Sequence, residues 1–148
     1  MTIAGLDVVP LRIIPDERGS VMHMLRADST HFAGFGEVYF SKVLRGAVKG
    51  WKRHTRMTLN LAVPVGRIRL VAFDERAAST TRGACLDLVL GALDYKLVIV
   101  PPGVWMAFQG LAEGESLLAN CATIPHDPAE AESRSLTNPP VEINWDIA

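Results

Sequence analysis

Two cysteines, Cys85 and Cys121, are too few for a disulfide framework. Each sits in an apolar, strand-like stretch where a reduced thiol behaves as a small hydrophobe, so a cytoplasmic location is expected. No charge of one sign dominates. Fifteen Lys and Arg stand against sixteen Asp and Glu, a formal net charge of −1, and no global field recruits nucleic acid or an anionic membrane. Long hydrophobic runs are also missing. The longest uncharged run lies between Lys96 and Glu113 and carries Pro101, Pro102, Gly103 and Gly110, which suit a turn and not a membrane span. The start of the chain lacks a basic region and contains Asp7 and Pro10, so no export signal is read there. Internal repeats, low-complexity tracts, linkers and long helical periodicity are absent as well. What remains is a chain of 148 residues, 49% hydrophobic, long enough to bury one core and too short for two large domains. A single domain over 1–148 is expected.

Apolar alternation with a period of two runs through most of it, broken at short intervals by Gly, Pro or Asp. That pattern predicts an all-β sandwich or barrel. Strands are expected at 7–14, 21–26, 37–44, 47–53, 57–63, 67–74, 84–90, 95–100 and 116–122. Turns fall at Pro15-Asp16-Glu17-Arg18-Gly19, Arg45-Gly46, Pro64-Val65-Gly66 and Pro101-Pro102-Gly103. Only 128–134 has the composition of a helix, about two turns with Asp127 as N-cap. The tail ends in Val141, Ile143 and Trp145, large enough to dock on the body of the protein.

The densest chemistry lies between Val48 and Met57, where Lys49, Lys52, Arg53 and Arg56 accompany His54. On a strand, residues two apart share a face, so Lys52 and His54 point together while Trp51 and Arg53 point away. A solvated hairpin is the plain reading of such a cluster; a barrel interior is the functional one. Trp51, Trp105 and Trp145 are each embedded among apolar neighbours and read as core or interface residues. His23 and His31 have no second ligand at metal spacing and read as structural.

Five motifs occur in order: Pro15-Asp-Glu-Arg-Gly19, Gly36-Glu-Val-Tyr-Phe-Ser-Lys42, Val48-Lys-Gly-Trp51, Pro101-Pro-Gly-Val-Trp105 and Asn138-Pro139. With these the chain resembles the dTDP-4-dehydrorhamnose 3,5-epimerase family, from about Asp7 to Trp145. The resemblance implies a homodimeric cupin jelly roll with a short C-terminal helical or irregular segment. It also implies epimerisation of a nucleotide-linked 4-keto-6-deoxy sugar at C3, C5 or both. Protons next to a ketone are acidic enough for a positioned base, provided the enolate is stabilised and the opposite face can be reprotonated.

At the family's base His this chain has Lys52, and at the supporting Asp it has Asn138. The family's acidic Tyr falls near 123–128, where only His126 can carry a proton, and its enolate-stabilising Lys falls near 58–60. The expected catalytic set is therefore His54 as base, Lys52 at the enolate oxygen, Asn138 and His126. His54 ranks above Lys52 because imidazole titrates near neutral pH. By the same resemblance Lys49 and Arg18 stand where the family places diphosphate-binding Arg residues, with Arg18 directed at a neighbouring subunit. Glu37 and Tyr39 occupy the nucleotide-facing strand, and Arg56 and Asn60 complete the expected substrate-binding set. Alternatives stand beside these: Arg18 pairing with Asp16 or Glu17 in its own turn, Tyr39 in ordinary strand packing, His54 as a strand-end histidine. Metal-binding cupins use a His pair, a Glu and a third His. Here one His of the pair survives, no Glu follows before Gly66, and Met106 takes the last position, so no metal or other cofactor is expected. The rival functions are a non-catalytic binder of sugar nucleotides and a 3,4-ketoisomerase.

Overall fold

A computed structural model describes residues 2–147. Its strands are β1 (Asp7–Pro10), β2 (Ile13–Asp16), β3 (Gly19–Met22), β4 (Glu37–Leu44), β5 (Val48–His54) and β6 (Leu59–Val65). They continue with β7 (Arg67–Asp74), β8 (Cys85–Gly91), β9 (Lys96–Val100), β10 (Val104–Gly110), β11 (Glu115–Ala122) and β12 (Ala131–Ser133). Two five-stranded sheets, ordered β1-β9-β6-β11-β4 and β12-β5-β10-β7-β8, are accompanied by the separate hairpin β2-β3. Every strand pairing is antiparallel.

Alternation explains why the two sheets meet face to face. β6 and β11 send Leu61 and Leu118 inward, β7 and β8 answer with Leu70 and Leu90, and all four share one core. Burying side chains of this size stabilises by about 1.5–3 kcal/mol each. This is the all-β sandwich that the period of two predicted, in the jelly-roll form that the family resemblance implied. A second apolar cluster, Trp51, Val71, Trp105 and Ala107, lies on the far side of β5, β7 and β10, where Val141, Ile143 and Trp145 of the tail cover it. Gln109 fastens the tail by donating from Nε2 to the Trp145 carbonyl at 2.6 Å, and Arg69 does so at the Asn144 carbonyl at 2.7 Å.

Several expected boundaries need correction. The strand at 7–14 is two strands: β1 pairs with β9, then the chain leaves that sheet to form β2. The strand expected at 21–26 is instead Gly19–Met22, with 23–26 outside it, because β3 is pinned to β2 by a turn in which the Arg18 amide donates to Asp16. β10 was not expected at all. It is buried along its whole length, so it shows no polar alternation. The helix expected at 128–134 is a 3-10 turn, Pro128–Glu130, followed by β12. Asp127 does cap that turn, accepting from the Ala129 amide at 3.0 Å. Pairing of β12 with β5 then overrides the helical composition of Ala131–Ser133.

Candidate functional site

A cavity of about 270 Å³ opens between the two sheets. One wall belongs to β5 and β10, with Lys49, Lys52, His54, Met106 and Phe108; the other belongs to β4, β6 and β11, with Tyr39, Ser41, Leu61, Leu118 and Asn120. The apolar side chains lower the local dielectric around polar ones that converge on the same space from both walls, as in a small-molecule site.

A bulge sets the cationic wall. In the β5–β10 register Lys52 faces Met106, Gly50 faces Ala107 and Lys49 faces Phe108, so Trp51 is the extra residue. Met106 and Phe108 point inward, and the bulge therefore brings Lys49 and Lys52, three positions apart, to the same cavity. Strict alternation would have turned Lys49 outward with Arg53. Arg53 does face out, over the Trp105 ring at 4.6 Å and in ion pairs with Glu75 and Glu132. Trp51 is buried in the outer cluster. Among the described residues, no carboxylate forms an ion pair with Lys49 or Lys52.

His54 is nearly buried at the end of β5, and its Nδ1 is in short contact with Glu130 Oε1. Glu130, which closes the 3-10 turn, is 3% exposed. Its other oxygen accepts from the Arg56 amide at 3.1 Å and the Met57 amide at 3.2 Å. Burial pushes its carboxyl up, but the bonds from His54, Arg56 and Met57 outweigh that and hold it below the usual carboxylate value. An ionised carboxylate only accepts, so it fixes the His54 proton on Nδ1 and leaves the Nε2 lone pair for the cavity.

On the facing wall, the Asn120 amide has a determined orientation. Its Oδ1 accepts from the Asn60 amide at 3.3 Å, so its Nδ2 is the group that donates to the Tyr39 hydroxyl at 2.8 Å. Burial pushes the Tyr39 phenol above its ordinary value.

Of the residues expected from the sequence, His54, Lys52, Lys49 and Tyr39 line this cavity. The others do not. Arg18 sits at the tip of the β2-β3 hairpin, 82% exposed and paired with Asp16 at 2.8 Å. His126 is exposed, and its amide donates to Glu37 at 2.9 Å, so these two meet each other outside the cavity lining. Arg56 extends to Asp127, and only its backbone touches the site. Asn60 is fully buried on the far face of β6, donating to the Cys121 carbonyl at 2.8 Å, because Leu59 and Leu61 take the inward positions. Asn138 is exposed and accepts from Arg134. Glu130 was missed. Within Ala129-Glu130-Ala131-Glu132 nothing distinguishes a buried carboxylate from a solvated one; the one available signal was that a buried His54 needs an acceptor. Among the described residues, no group of three or more His, Cys, Asp or Glu is placed to hold a metal ion.

The sequence profile of the dTDP-4-dehydrorhamnose 3,5-epimerase family matches residues 1–148. The chain is similar to a dTDP sugar isomerase of Desulfovibrio desulfuricans G20, with 44% identity and a TM-score of 0.93 over 97% of this chain and 92% of that one. It is also similar to the "Probable low-salt glycan biosynthesis epimerase Agl13" of Haloferax volcanii, 29% identical over 84% of this chain and 81% of the relative. A third relative is the spore coat polysaccharide biosynthesis protein SpsL of Bacillus subtilis, 24% identical over 97% of this chain and 96% of the relative.

Proposed function

Because the chain belongs to the dTDP-4-dehydrorhamnose 3,5-epimerase family, we propose that the cavity epimerises a dTDP-linked 4-keto-6-deoxy sugar next to its ketone, with His54 as base. The observation that carries this is the buried His54–Glu130 pair opening on a cavity that also holds Lys52, which has no ion pair among the described residues. His54 Nε2 takes the proton from the carbon beside the ketone, and the C–H electron pair moves into the carbon framework to give an enolate. The Lys52 ammonium, on the same strand, faces the developing oxygen anion. Where the family pattern places a His at position 52 and an Asp at position 138, this chain performs the same task with His54 and Glu130. A carboxylate still orients the imidazole, from a different element.

Lys49, at the cavity and without an ion pair among the described residues, receives the diphosphate. The protein works as a homodimer in the cytoplasm, the whole chain forming one cupin domain, and the hairpin tip carries Arg18 to the partner's cavity. Among the described residues no helix is long and apolar enough to cross a membrane.

The test is incubation with a dTDP-4-keto-6-deoxyhexose in deuterated water, because enolisation exchanges the α protons whichever product accumulates. With the wild-type protein the sugar takes up deuterium at the carbon beside its ketone. His54→Ala lowers exchange about 10²–10⁴-fold, the usual contribution of a general base, and Lys52→Ala lowers it about 10²–10³-fold, as for loss of one oxyanion partner. No uptake by the wild type defeats the enzymatic reading in favour of a binder. Loss confined to Lys52→Ala overturns the assignment of His54.

A further inference from the structure

We propose that Tyr39 is the proton donor that completes the inversion, delivering its phenolic proton to the sugar face opposite His54. The proposal rests on the epimerase reading above. A lone base that returns its own proton restores the starting configuration, so inverting a centre beside a ketone requires an acid on the other side. The two walls of the cavity supply such a pair. His54 projects from β5 in one sheet and Tyr39 from β4 in the other, and both line the same space. Lys49 and Lys52 share the wall of His54, so neither can serve the far face.

Among the described residues of the facing wall, Tyr39 is the one with a titratable proton. Its neighbours there are Ser41, Leu59, Leu61, Leu118 and Asn120. His126, the proton carrier expected from sequence, is exposed and outside the cavity lining. The hydrogen bonding has the right direction as well. With the Asn120 amide locked by Asn60, Nδ2 donates to the Tyr39 oxygen, and the hydroxyl keeps its own proton to give. Burial favours the neutral phenol, so the acid form is the one present at neutral pH.

The atoms balance as follows. The C–H bond breaks toward His54 Nε2, leaving an imidazolium and an enolate. A new C–H bond forms on the opposite face from the Tyr39 O–H, the enolate reverts to the ketone, and Tyr39 is left as a phenolate. The Asn120 N–H that already points at that oxygen stabilises the charge. Solvent water then returns a proton to Tyr39 and accepts one from His54, so no other reactant is needed.

Tyr39→Phe removes the proton and keeps the ring. In deuterated water with the same 4-keto sugar nucleotide at saturation, the variant is expected to lose epimer formation about 100-fold or more while still showing measurable α-proton exchange, through His54 swapping its proton with solvent before returning it. Titration with dTDP and thermal melting should match the wild type. Epimer formation at the wild-type rate overturns the proposal and leaves the role of His54 intact. Loss of exchange together with inversion, or loss explained by weaker dTDP binding, also overturns it, because Tyr39 would then hold the substrate and not protonate it. A wild type that exchanges without forming an epimer defeats the proposal too. A wild type that does not exchange fails the epimerase reading first, so the two failures are told apart.

Discussion

Glu130 accepts three N–H groups with two oxygens, and a Gln in its place cannot do the same. If the Gln amide nitrogen faces Arg56 and Met57, it opposes two donors. If it faces His54, it forces the imidazole proton onto Nε2 and removes the base. Glu130→Gln therefore lowers deuterium exchange about 10²-fold or more and destabilises by about 1–3 kcal/mol at pH 7, the cost of leaving buried N–H groups unpaired. The sign of the pH dependence follows from the depressed carboxyl. Its stabilisation is complete above the unfolded carboxylate value, about 4.3, and disappears as pH falls through the lower folded value. The gap in melting temperature between wild type and Glu130→Gln should narrow from pH 7 to pH 3; a constant gap contradicts the ion-pair account. At this scale the sequence exposes side-chain type and hides pairing. His54 and Lys52 were legible because a strand's period puts them on one face, whereas their carboxylate comes from a turn 76 positions away from His54.

The bulge on β5 shows what an element adds beyond its residues. Period two places Lys52 with His54, but only a one-residue insertion at Trp51 brings Lys49 to the same wall. No rule of alternation reports where a strand slips against its neighbour. Gly50 lets the slip happen. A Cβ there would lie 2.3 Å from the Ala107 Cβ and 2.8 Å from its Cα, so β10 would have to move. Gly50→Ala should destabilise by about 1–3 kcal/mol, as overpacking does, and should lower exchange by displacing Lys49 and Lys52 from their shared wall. Urea unfolding beside the exchange assay reads both; an unchanged midpoint contradicts the close approach. β10 and β12 were illegible for opposite reasons. β10 is buried on both faces, so its run of apolar residues carries no period and resembles a turn flanked by Pro101-Pro102-Gly103. β12 has helix-forming residues whose backbone groups pair with β5, and a segment this short gains little from a helix of its own.

For the whole molecule, the two-sheet fold, the docked tail and the absence of a dominant charge could be read from pattern and composition. What one chain leaves unpaired points beyond it. β4 is the edge of its sheet, and its outward residues Val38, Phe40 and Leu44 are 48%, 62% and 61% exposed. Among the described residues the β2-β3 hairpin pairs with no other strand, although Ile14 and Val21 are exposed on it. An isolated two-stranded hairpin is marginal in water, and an open apolar edge invites another strand. In the homodimer proposed above, a second copy of the chain would cover β4 and give the hairpin a surface, and at a formal charge of −1 per chain the two copies would repel only weakly. Sedimentation at micromolar protein should find a dimer for the wild type and a monomer for Phe40→Asp, whose buried charge would be unpaired in the interface. Because Phe40 points away from the cavity while Tyr39 points into it, the monomeric variant should keep the His54–Glu130 pair and lose affinity for dTDP only as far as Arg18 of the second copy contributes. A wild type that sediments as a monomer, or a Phe40→Asp variant that stays dimeric, overturns this interface.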